Sequence, residues 1–266
     1  MIEPDRPPLR RVCVCVPTYD EAQNVEMIVG RIRAAVPAAD VLVLDDNSPD
    51  GTGAIADAIA DRDPAVHVLH RPGKEGLGPA YLAGFRWALE RGYDAVVEID
   101  ADGSHQPEQL PSLLAAAATA DVVIGSRWVP GGSVHNWPAH RRALSVGANT
   151  YARLALGIPV HDATAGFRVY RLAALAQMDT GAVASQGYCF QVDLTLRALD
   201  RGLTVVEVPI AFVEREVGTS KMSDAIVREA ALRVGVWGVQ RRAAQVRERL
   251  GRGRRWSRWH HLEENL

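Results

Sequence analysis

The fold is decided by one stretch of the chain, Val96-Val97-Glu98-Ile99-Asp100-Ala101-Asp102-Gly103-Ser104-His105-Gln106-Pro107-Glu108. Its apolar, partly β-branched start predicts a buried strand that ends at two aspartates. A glycine follows them, and Pro107 can open the next helix. Because ligands of α/β proteins bind at the carboxyl ends of strands, the turn that holds Asp100 and Asp102 is a candidate binding site.

The two aspartates are spaced to act together. Residues i and i+2 of an extended backbone point to the same side, so the two carboxylates repel unless a cation lies between them. Hard oxygen ligands suit Mg²⁺ or Mn²⁺, and these metals usually bind substrate phosphates as well. An Asp-x-Asp sequence alone is common, however, and a solvated acidic turn is the alternative reading.

Other strands are expected to bring polar groups to the same place. Apolar runs at residues 11–16, 41–44 and 121–125 predict strands that alternate with helices. Thr18 or Asp20 is expected to cap the first of these helices. This alternation predicts a mainly parallel sheet, and right-handed crossovers bring its strand ends to one edge. The side chains expected along that edge are Tyr19, Glu21, Asp46, Asp100, Asp102 and Arg127.

Two glycine-rich segments partly match phosphate-binding motifs. Residues 51–56 resemble a dinucleotide fingerprint, but they follow the second strand and no acid ends the next one, which argues against a Rossmann site. Residues 73–78 contain Lys74 but lack the spacing of a P-loop, so they are expected to lead into a helix and to lie near phosphates.

The second half of the chain continues the α/β pattern. Residues 129–137 predict a mobile loop, residues 140–156 a helix, and residues 187–199 an amphipathic helix before a strand at 205–210. A last amphipathic helix is expected from about residue 223, and an Arg-rich tail with interleaved tryptophans follows over residues 241–259. The tail is either solvated or a membrane-surface patch, where each basic residue adds about 1 kcal/mol.

Composition excludes several classes of protein. The chain has 266 residues, is 47% hydrophobic and 23% charged, and carries a net charge of −2, which gives no argument for nucleic-acid binding. Its three cysteines have no ligand-like spacing, and Cys13 and Cys15, which alternate along an apolar strand, are predicted to be core residues in a reducing compartment. Neither a signal peptide nor a spanning helix is expected, because no apolar run is long enough.

Six motifs, taken in order over residues 11–222, carry a resemblance to a known family. They are Val16-Pro17-Thr18-Tyr19-Asp20-Glu21, Asp45-Asp46-Asn47-Ser48-Pro49-Asp50-Gly51-Thr52, Asp100-Ala101-Asp102-Gly103-Ser104-His105, Gly125-Ser126-Arg127-Trp128, Thr164-Ala165-Gly166-Phe167-Arg168 and Gly218-Thr219-Ser220-Lys221. Together they resemble the polyprenyl- or dolichyl-phosphate mannose synthases, in family 2 of the GT-A glycosyltransferases.

The resemblance implies a role for particular residues. Asp100 and Asp102 would bind Mg²⁺ or Mn²⁺ on the donor diphosphate, and Ser104 stands where some relatives have a third ligand, Gln. Asp102 and Arg127 are the residues expected to act in catalysis. The residues implied to hold the guanosine half of GDP-mannose are Pro17, Tyr19, Glu21, Leu44 and Asp46. Those implied to lie near the donor diphosphate or to contact the donor or acceptor phosphates are Ala101, Arg127, Arg141, Arg142, Arg215 and Lys221.

The implied reaction needs no dedicated base. A lipid monophosphate is already anionic at neutral pH, so its oxygen can attack the anomeric carbon directly, and the family implies inversion there. His105 is therefore expected to support the site rather than to catalyse. Transfer of glucose or another hexose to the same acceptor, and a nucleotide-binding module without turnover, are the alternatives.

The resemblance also implies how the chain is organised and where it acts. We expect a GT-A catalytic domain over residues 1–222, followed over residues 223–266 by an amphipathic helix and tail that bind the membrane surface or a membrane partner protein. The protein is expected to be cytoplasmic and peripheral on the cytoplasmic face of the membrane, like the short members of the family that lack spanning helices.

Overall fold

A seven-stranded sheet forms the centre of the computed structural model, which describes residues 6–180, 188–215 and 230–243. The strands of this sheet are β1 (Val12–Thr18), β2 (Asp40–Asp45), β3 (Val66–His70), β4 (Ala95–Glu98), β5 (Val122–Ser126), β7 (Arg168–Arg171) and β8 (Val205–Pro209). A second, two-stranded sheet pairs β6 (Ser133–His135) with β9 (Ala211–Val213).

Helices connect the strands on both faces of the large sheet. They are α1 (Val25–Ala35), α2 (Thr52–Ala60), α3 (Leu77–Glu90), α4 (Leu110–Ala116), α5 (Ala139–Leu156), α6 (Leu172–Leu175) and α7 (Tyr188–Asp200). A 3₁₀ turn at Pro107–Gln109 precedes α4, so the helix expected from Pro107 begins in a tighter form.

The strand order is β3-β2-β1-β4-β7-β5-β8, and all pairs are parallel except the two that β7 makes. This confirms the predicted mainly parallel sheet. β4 lies in the middle, between β1 and the antiparallel β7, and is buried along its whole length. The aspartate turn therefore follows a central, fully buried strand of the sheet.

Alternating side chains of the strands divide the core into two layers. Cys13 and Cys15 of β1 pack with α3 on one face, whereas Val14 and Val16 pack with α1 on the other. Both cysteines are free and fully buried, as the apolar pattern predicted.

Two local predictions were wrong. The helix α1 begins only at Val25 and has no side-chain cap, because the Thr18 hydroxyl contacts the Asp45 carboxylate and Asp20 lies in a left-handed turn with φ of 57°. Residues 129–137 are not all loop, because β6 forms there. Gly132, just before β6, lies so close to the carbonyl of Ser126 that a Cβ would stand 2.6 Å from that oxygen.

The predicted C-terminal helix is present over residues 230–243, and its expected start near residue 223 lies outside the described residues. It packs along α5, where the Tyr151 hydroxyl donates to the carbonyl of Ala231 at 3.0 Å. Within the described ranges no helix is both long and apolar enough to cross a bilayer.

Candidate active site

The two aspartates lie in the turn after β4, as predicted. Asp102 is almost fully buried, while the side chain of Asp100 is 33% exposed. Burial and then the charge of Asp102 raise the pKa of Asp100 above the usual value for an aspartate. Burial acts in the same direction on Asp102, but hydrogen bonding by Ser104 and the charge of Arg215 outweigh it and lower its pKa. The pair therefore holds at least one negative charge that a cation would stabilise.

The strand β9 brings Arg215 to this turn from far along the chain. The backbone N–H of Val213 donates to the carbonyl of Ser104 at 3.0 Å, and Phe212 forms an isolated bridge with His105. Arg215 is two residues after Val213, and its guanidinium lies 3.0 Å from the carboxylate of Asp102. The prediction placed Arg215 near phosphates, and the structure places it on the candidate metal ligand.

Arg127 follows β5 and is held by a partner that the sequence did not reveal. Its guanidinium donates twice to the carboxylate of Asp162, at 2.7 and 2.8 Å, and its backbone N–H donates to the same group at 2.9 Å. Both residues are buried, and the pKa of Asp162 is lowered because the charge and hydrogen bonds of Arg127 outweigh the effect of burial. The Asp162 backbone is in turn held by Glu207 of β8.

An aromatic cluster of Trp128, Trp137 and Phe212 connects Arg127 with the start of α5. The guanidinium of Arg127 lies 5.5 to 5.7 Å from the three ring centroids. Arg141 lies 4.3 Å above the ring of Trp137. Both indole N–H groups of the cluster are buried without a hydrogen-bond partner in the described structure.

Arg141 is also paired with an acid, the carboxylate of Glu214. Glu214 is itself held in place by its backbone N–H, which donates to the carbonyl of His135 at 3.1 Å. Arg142, the other predicted phosphate contact on α5, is exposed, whereas Arg141 is partly buried against Trp137 and Glu214. Lys221 lies outside the described residues.

The residues predicted to hold the nucleoside lie at the ends of β1 and β2. Asp46 is buried and paired with Arg71, which also donates to Glu75 at 2.6 Å. Lys74 lies 4.0 Å above the ring of Tyr19, so the glycine-rich segment does reach this edge of the sheet.

The remaining predicted residues differ in how far their side chains can reach a ligand. Glu21 accepts a hydrogen bond from Asn24 at 2.7 Å and contributes to the raised pKa of Asp100. The side chain of Leu44 is buried under α3 and that of Ala101 in the opposite core layer, which leaves their backbones to contact a ligand. Pro17 is half-buried beside Leu44 in the parallel register of β1 and β2.

His105 occupies the space beneath the aspartate turn. Its ring is buried between Phe167 and Phe212, with centroid distances of 5.3 and 5.2 Å. The backbone N–H of Asp100 lies 3.4 Å from its Nδ1. Burial lowers its pKa well below the usual histidine value, so the ring is neutral at pH 7. The supporting role predicted for His105 agrees with this position.

The donor set fits a hard divalent cation. Asp100 and Asp102 offer carboxylate oxygens in a partly open turn, and the repulsion between them would fall when a cation binds. In the described part of the chain no group of three or more His, Cys, Asp or Glu residues could hold a metal. Among the described residues, Asp100 and Asp102 are the two acidic ligands that we expect, and a substrate and water could supply others.

Comparison with known proteins identifies relatives over most of the chain. The family model described as glycosyl transferase family 2 matches residues 13–178. The polyprenol monophosphomannose synthase of Mycolicibacterium smegmatis is 56% identical over 242 residues, which cover 90% of this chain and 91% of that protein. The undecaprenyl-phosphate mannosyltransferase of Micrococcus luteus is 57% identical over 241 residues, which cover 91% of this chain and 99% of that protein.

Solved structures of lower identity share the fold. Glucosyl-3-phosphoglycerate synthase from Mycobacterium tuberculosis, in complex with Mn²⁺, uridine diphosphate and glucosyl-3-phosphoglycerate, superposes with a TM-score of 0.62 at 21% identity. The match covers 87% of this chain and 80% of that one. The same enzyme with phosphoglyceric acid gives a TM-score of 0.62 at 19% identity, with the same coverage. The likeness confirms the predicted GT-A fold.

Proposed function

Because the chain belongs to glycosyl transferase family 2, we propose that it transfers mannose from GDP-mannose to a polyprenyl monophosphate of the dolichyl type. The product would be polyprenyl phosphate mannose, a lipid-linked donor for mannosylation or glycolipid synthesis. The relatives from Mycolicibacterium smegmatis and Micrococcus luteus support this proposal, because both names describe mannose attached to a polyprenyl carrier and both proteins are more than half identical to this chain.

The observation that carries the proposal is the arrangement of three arginines around the aspartate turn. Arg127, Arg141 and Arg215 come from three separate segments, and each is paired with a carboxylate. The aromatic cluster contacts Arg127 and Arg141 and adds two buried indole N–H donors. Such a set of cations and donors suits two phosphate groups, one on the donor and one on the acceptor.

On the donor side, we propose that Tyr19, Glu21 and Asp46 hold the nucleoside. They lie at the carboxyl ends of β1 and β2, where an open α/β sheet binds its ligand. The ion pair with Arg71 fixes the Asp46 carboxylate, so this acid is oriented before a base or ribose arrives. Pro17 and the backbones of Leu44 and Ala101 complete the proposed donor pocket.

In the proposed reaction, an acceptor phosphate oxygen forms a bond to the anomeric carbon of mannose. The bond from that carbon to the donor phosphate breaks, and the electron pair leaves with GDP, so the configuration at the anomeric carbon inverts. Arg127 and Arg215 stabilise the charge that grows on the leaving diphosphate, while Arg141 orients the acceptor phosphate. Since the acceptor is already anionic, no side chain has to remove a proton.

Asp100 and Asp102 would hold a divalent cation on the donor diphosphate, where it neutralises the charge of the leaving group. We expect chelation with EDTA to abolish transfer, and Mg²⁺ or Mn²⁺ to restore it. The measurement is the rate of labelled lipid formation before and after dialysis against chelator. Full activity of the chelated protein, with residual metal excluded by mass spectrometry, would contradict the role of the two aspartates.

The donor and acceptor are tested together by a substrate panel. Purified protein should form chloroform-soluble labelled lipid from GDP-mannose and polyprenyl phosphate, at a rate at least 100-fold above that with UDP-glucose; this is about the discrimination that a few kcal/mol provides. A preference for UDP-glucose would identify a glucosyltransferase instead. No lipid-linked sugar from any donor would favour the nucleotide-binding module without turnover.

Because the acceptor is a lipid, we propose that the protein works on the membrane surface, on its cytoplasmic face. The Arg-rich residues after 243, which lie outside the described structure, would add electrostatic attraction to anionic lipids or to a membrane partner protein.

A further inference from the structure

We infer that Asn149, a residue of α5, positions Arg141 for the acceptor phosphate by fixing the helix against the turn of residues 162–164. Asn149 would act through Arg141 and not through contact with a substrate, so it is a positioning residue. The inference rests on the proposed function, because the place of Arg141 affects the reaction only if this arginine binds the acceptor. Asn149 is not among the residues predicted from the sequence.

The burial of α5 begins at Asn149. Of the 18 residues of this helix only Asn149, Ala152 and Leu156 are buried. Their spacing of three and four residues places them on one side, which faces the protein. The helix is therefore held along its second half, whereas residues 139–148, which include Arg141, contain no buried residue.

The amide of Asn149 contacts the 162–164 turn with both of its ends. Its nitrogen lies 3.0 Å from the Thr164 hydroxyl and 3.3 Å from the Asp162 carboxylate, and it also donates to the carbonyl of Ser145 at 3.1 Å. Its oxygen accepts from the backbone N–H of Thr164 at 3.3 Å. Because hydrogen bonds depend strongly on distance and angle, these contacts restrict how far α5 can slide or rotate against the turn.

The Thr164 hydroxyl connects Asn149 with Arg127. It accepts hydrogen bonds from the guanidinium of Arg127 at 3.1 Å and from Asn149, and it donates to Asp162 at 3.3 Å. A hydroxyl has one proton and two lone pairs, so these three contacts use its full capacity. Asp162 also accepts from both Arg127 and Asn149. The position of α5 is therefore defined relative to Arg127, the arginine proposed for the leaving diphosphate.

Apolar packing alone would not define this position. Ala152 and Leu156 pack into the core through side chains without polar atoms, and such contacts have no preferred direction. Asn is also a poorer helix former than Ala, so the stability of the helix itself does not explain Asn149. What the amide provides is a directional contact between α5 and the active site.

Arg141 lies eight residues before Asn149 in the same helix, which is about 12 Å along the helix axis. Its guanidinium is held by Glu214 and by the ring of Trp137. These contacts fix the side chain of Arg141, whereas Asn149 fixes the helix from which that side chain projects. A misplacement of about 1 Å between reacting groups can lower a rate about 100-fold, so the position of the helix should affect transfer.

The test replaces Asn149 with alanine in the full chain and uses a short, water-soluble prenyl phosphate as acceptor. We expect Asn149→Ala to lower kcat about 30-fold and to raise the KM for this acceptor about tenfold, because Arg141 no longer meets the phosphate in the right place. The KM for GDP-mannose and the Kd for GDP should stay within about twofold of the wild type, since the donor residues lie on other elements.

Two further variants control this measurement. Asn149→Asp keeps the size of the side chain but lacks its N–H donors, so it should show the same change in kcat and in the acceptor KM. Thr150→Ala, at an exposed position next to Asn149, should match the wild type. Circular dichroism and GDP binding give the fraction of each variant that is folded.

A double variant shows whether Asn149 acts through Arg141. In the Arg141→Gln protein, adding Asn149→Ala should lower kcat by no more than about threefold, because no guanidinium is left to misplace. An equal loss in both backgrounds, or a loss that follows the folded fraction with an unchanged acceptor KM, would show a merely structural role and overturn the inference. Wild-type kinetics of Asn149→Ala would overturn it too. A wild type that binds GDP but forms no lipid-linked sugar would overturn the proposed function, and this inference with it.

Discussion

Asp102→Asn is expected to lower the rate of mannosyl transfer at least 1000-fold while leaving the fold intact. The substitution keeps the size of the side chain but removes the charge that Arg215 contacts at 3.0 Å and that a divalent cation would require. Charge stabilisation by a metal accounts for several kcal/mol of a transition state, and about 4 kcal/mol corresponds to this loss of rate. Asp102→Ala should be at least as severe.

The measurement is steady-state transfer from GDP-mannose, together with a titration of Mn²⁺ in the presence of GDP. Asp102→Asn should weaken Mn²⁺ binding, whereas Asp61→Asn, an exposed aspartate after α2, should change neither quantity. Circular dichroism and the unfolding midpoint show whether each variant is folded. A folded Asp102→Asn protein with activity close to that of the wild type would exclude Asp102 from the metal site.

The elements that a local pattern encodes were predictable from the sequence. The strand before Asp100 is apolar apart from Glu98 because β4 is buried on both sides, and such a run is visible without a structure. The edge formed by Tyr19, Asp46 and Arg127 was predictable for the same reason, since parallel strands joined by right-handed crossovers end on the same side. Residues that directly follow strands were therefore placed correctly.

The counter-ions of the arginines were not predictable. Asp162 lies 35 positions after Arg127, and Glu214 lies 73 positions after Arg141. No periodicity links such residues, because their contacts depend on tertiary structure. Glu214 is positioned by the pairing of β6 with β9, and Asp162 by its contacts with Glu207 of β8. A signal for Asp162 was present, since it lies two residues before the quoted motif Thr164-Ala165-Gly166-Phe167-Arg168, but the motif alone does not identify its partner.

The exposure of α5 could not be predicted from the sequence, for a different reason. Its apolar residues are spaced all around the helix, and this pattern is equally typical of a helix that is buried within the core. Only the structure shows that α5 lies at the surface, with Leu154 and Leu144 uncovered. Gln191 is the opposite case, a polar side chain that is buried. It lies on α7 and donates to Glu98 at 2.8 Å.

Asp162→Asn is expected to lower both the stability of the protein and its activity. Arg127 would keep its charge in a buried position without a full counter-charge, and breaking one side of a buried pair typically costs about 3 to 5 kcal/mol of unfolding free energy. Transfer should fall about 100-fold, because the guanidinium that we propose contacts the leaving phosphate loses one of the two hydrogen bonds that orient it, since an amide has a single acceptor oxygen. Glu108→Gln, which removes a solvent-exposed pair with Arg31, should cost at most about 1 kcal/mol.

A double variant separates the structural role of this pair from its role in the reaction. Arg127→Gln with Asp162→Asn leaves no unpaired charge, so its unfolding free energy, measured with urea, should be higher than that of Asp162→Asn alone. Its transfer rate should stay low, because the positive charge of Arg127, which we propose stabilises the leaving diphosphate, is missing. Because the pKa of Asp162 is lowered in the folded state, the pair stabilises the fold at pH values above the usual aspartate pKa. This stabilisation is lost as the pH falls through the pKa that Asp162 has in the folded state. Asp162→Asn should therefore unfold in acid with a weaker pH dependence than the wild type. A double variant that regains wild-type activity would show that Arg127 only fills space beside Asp162 and takes no part in the reaction.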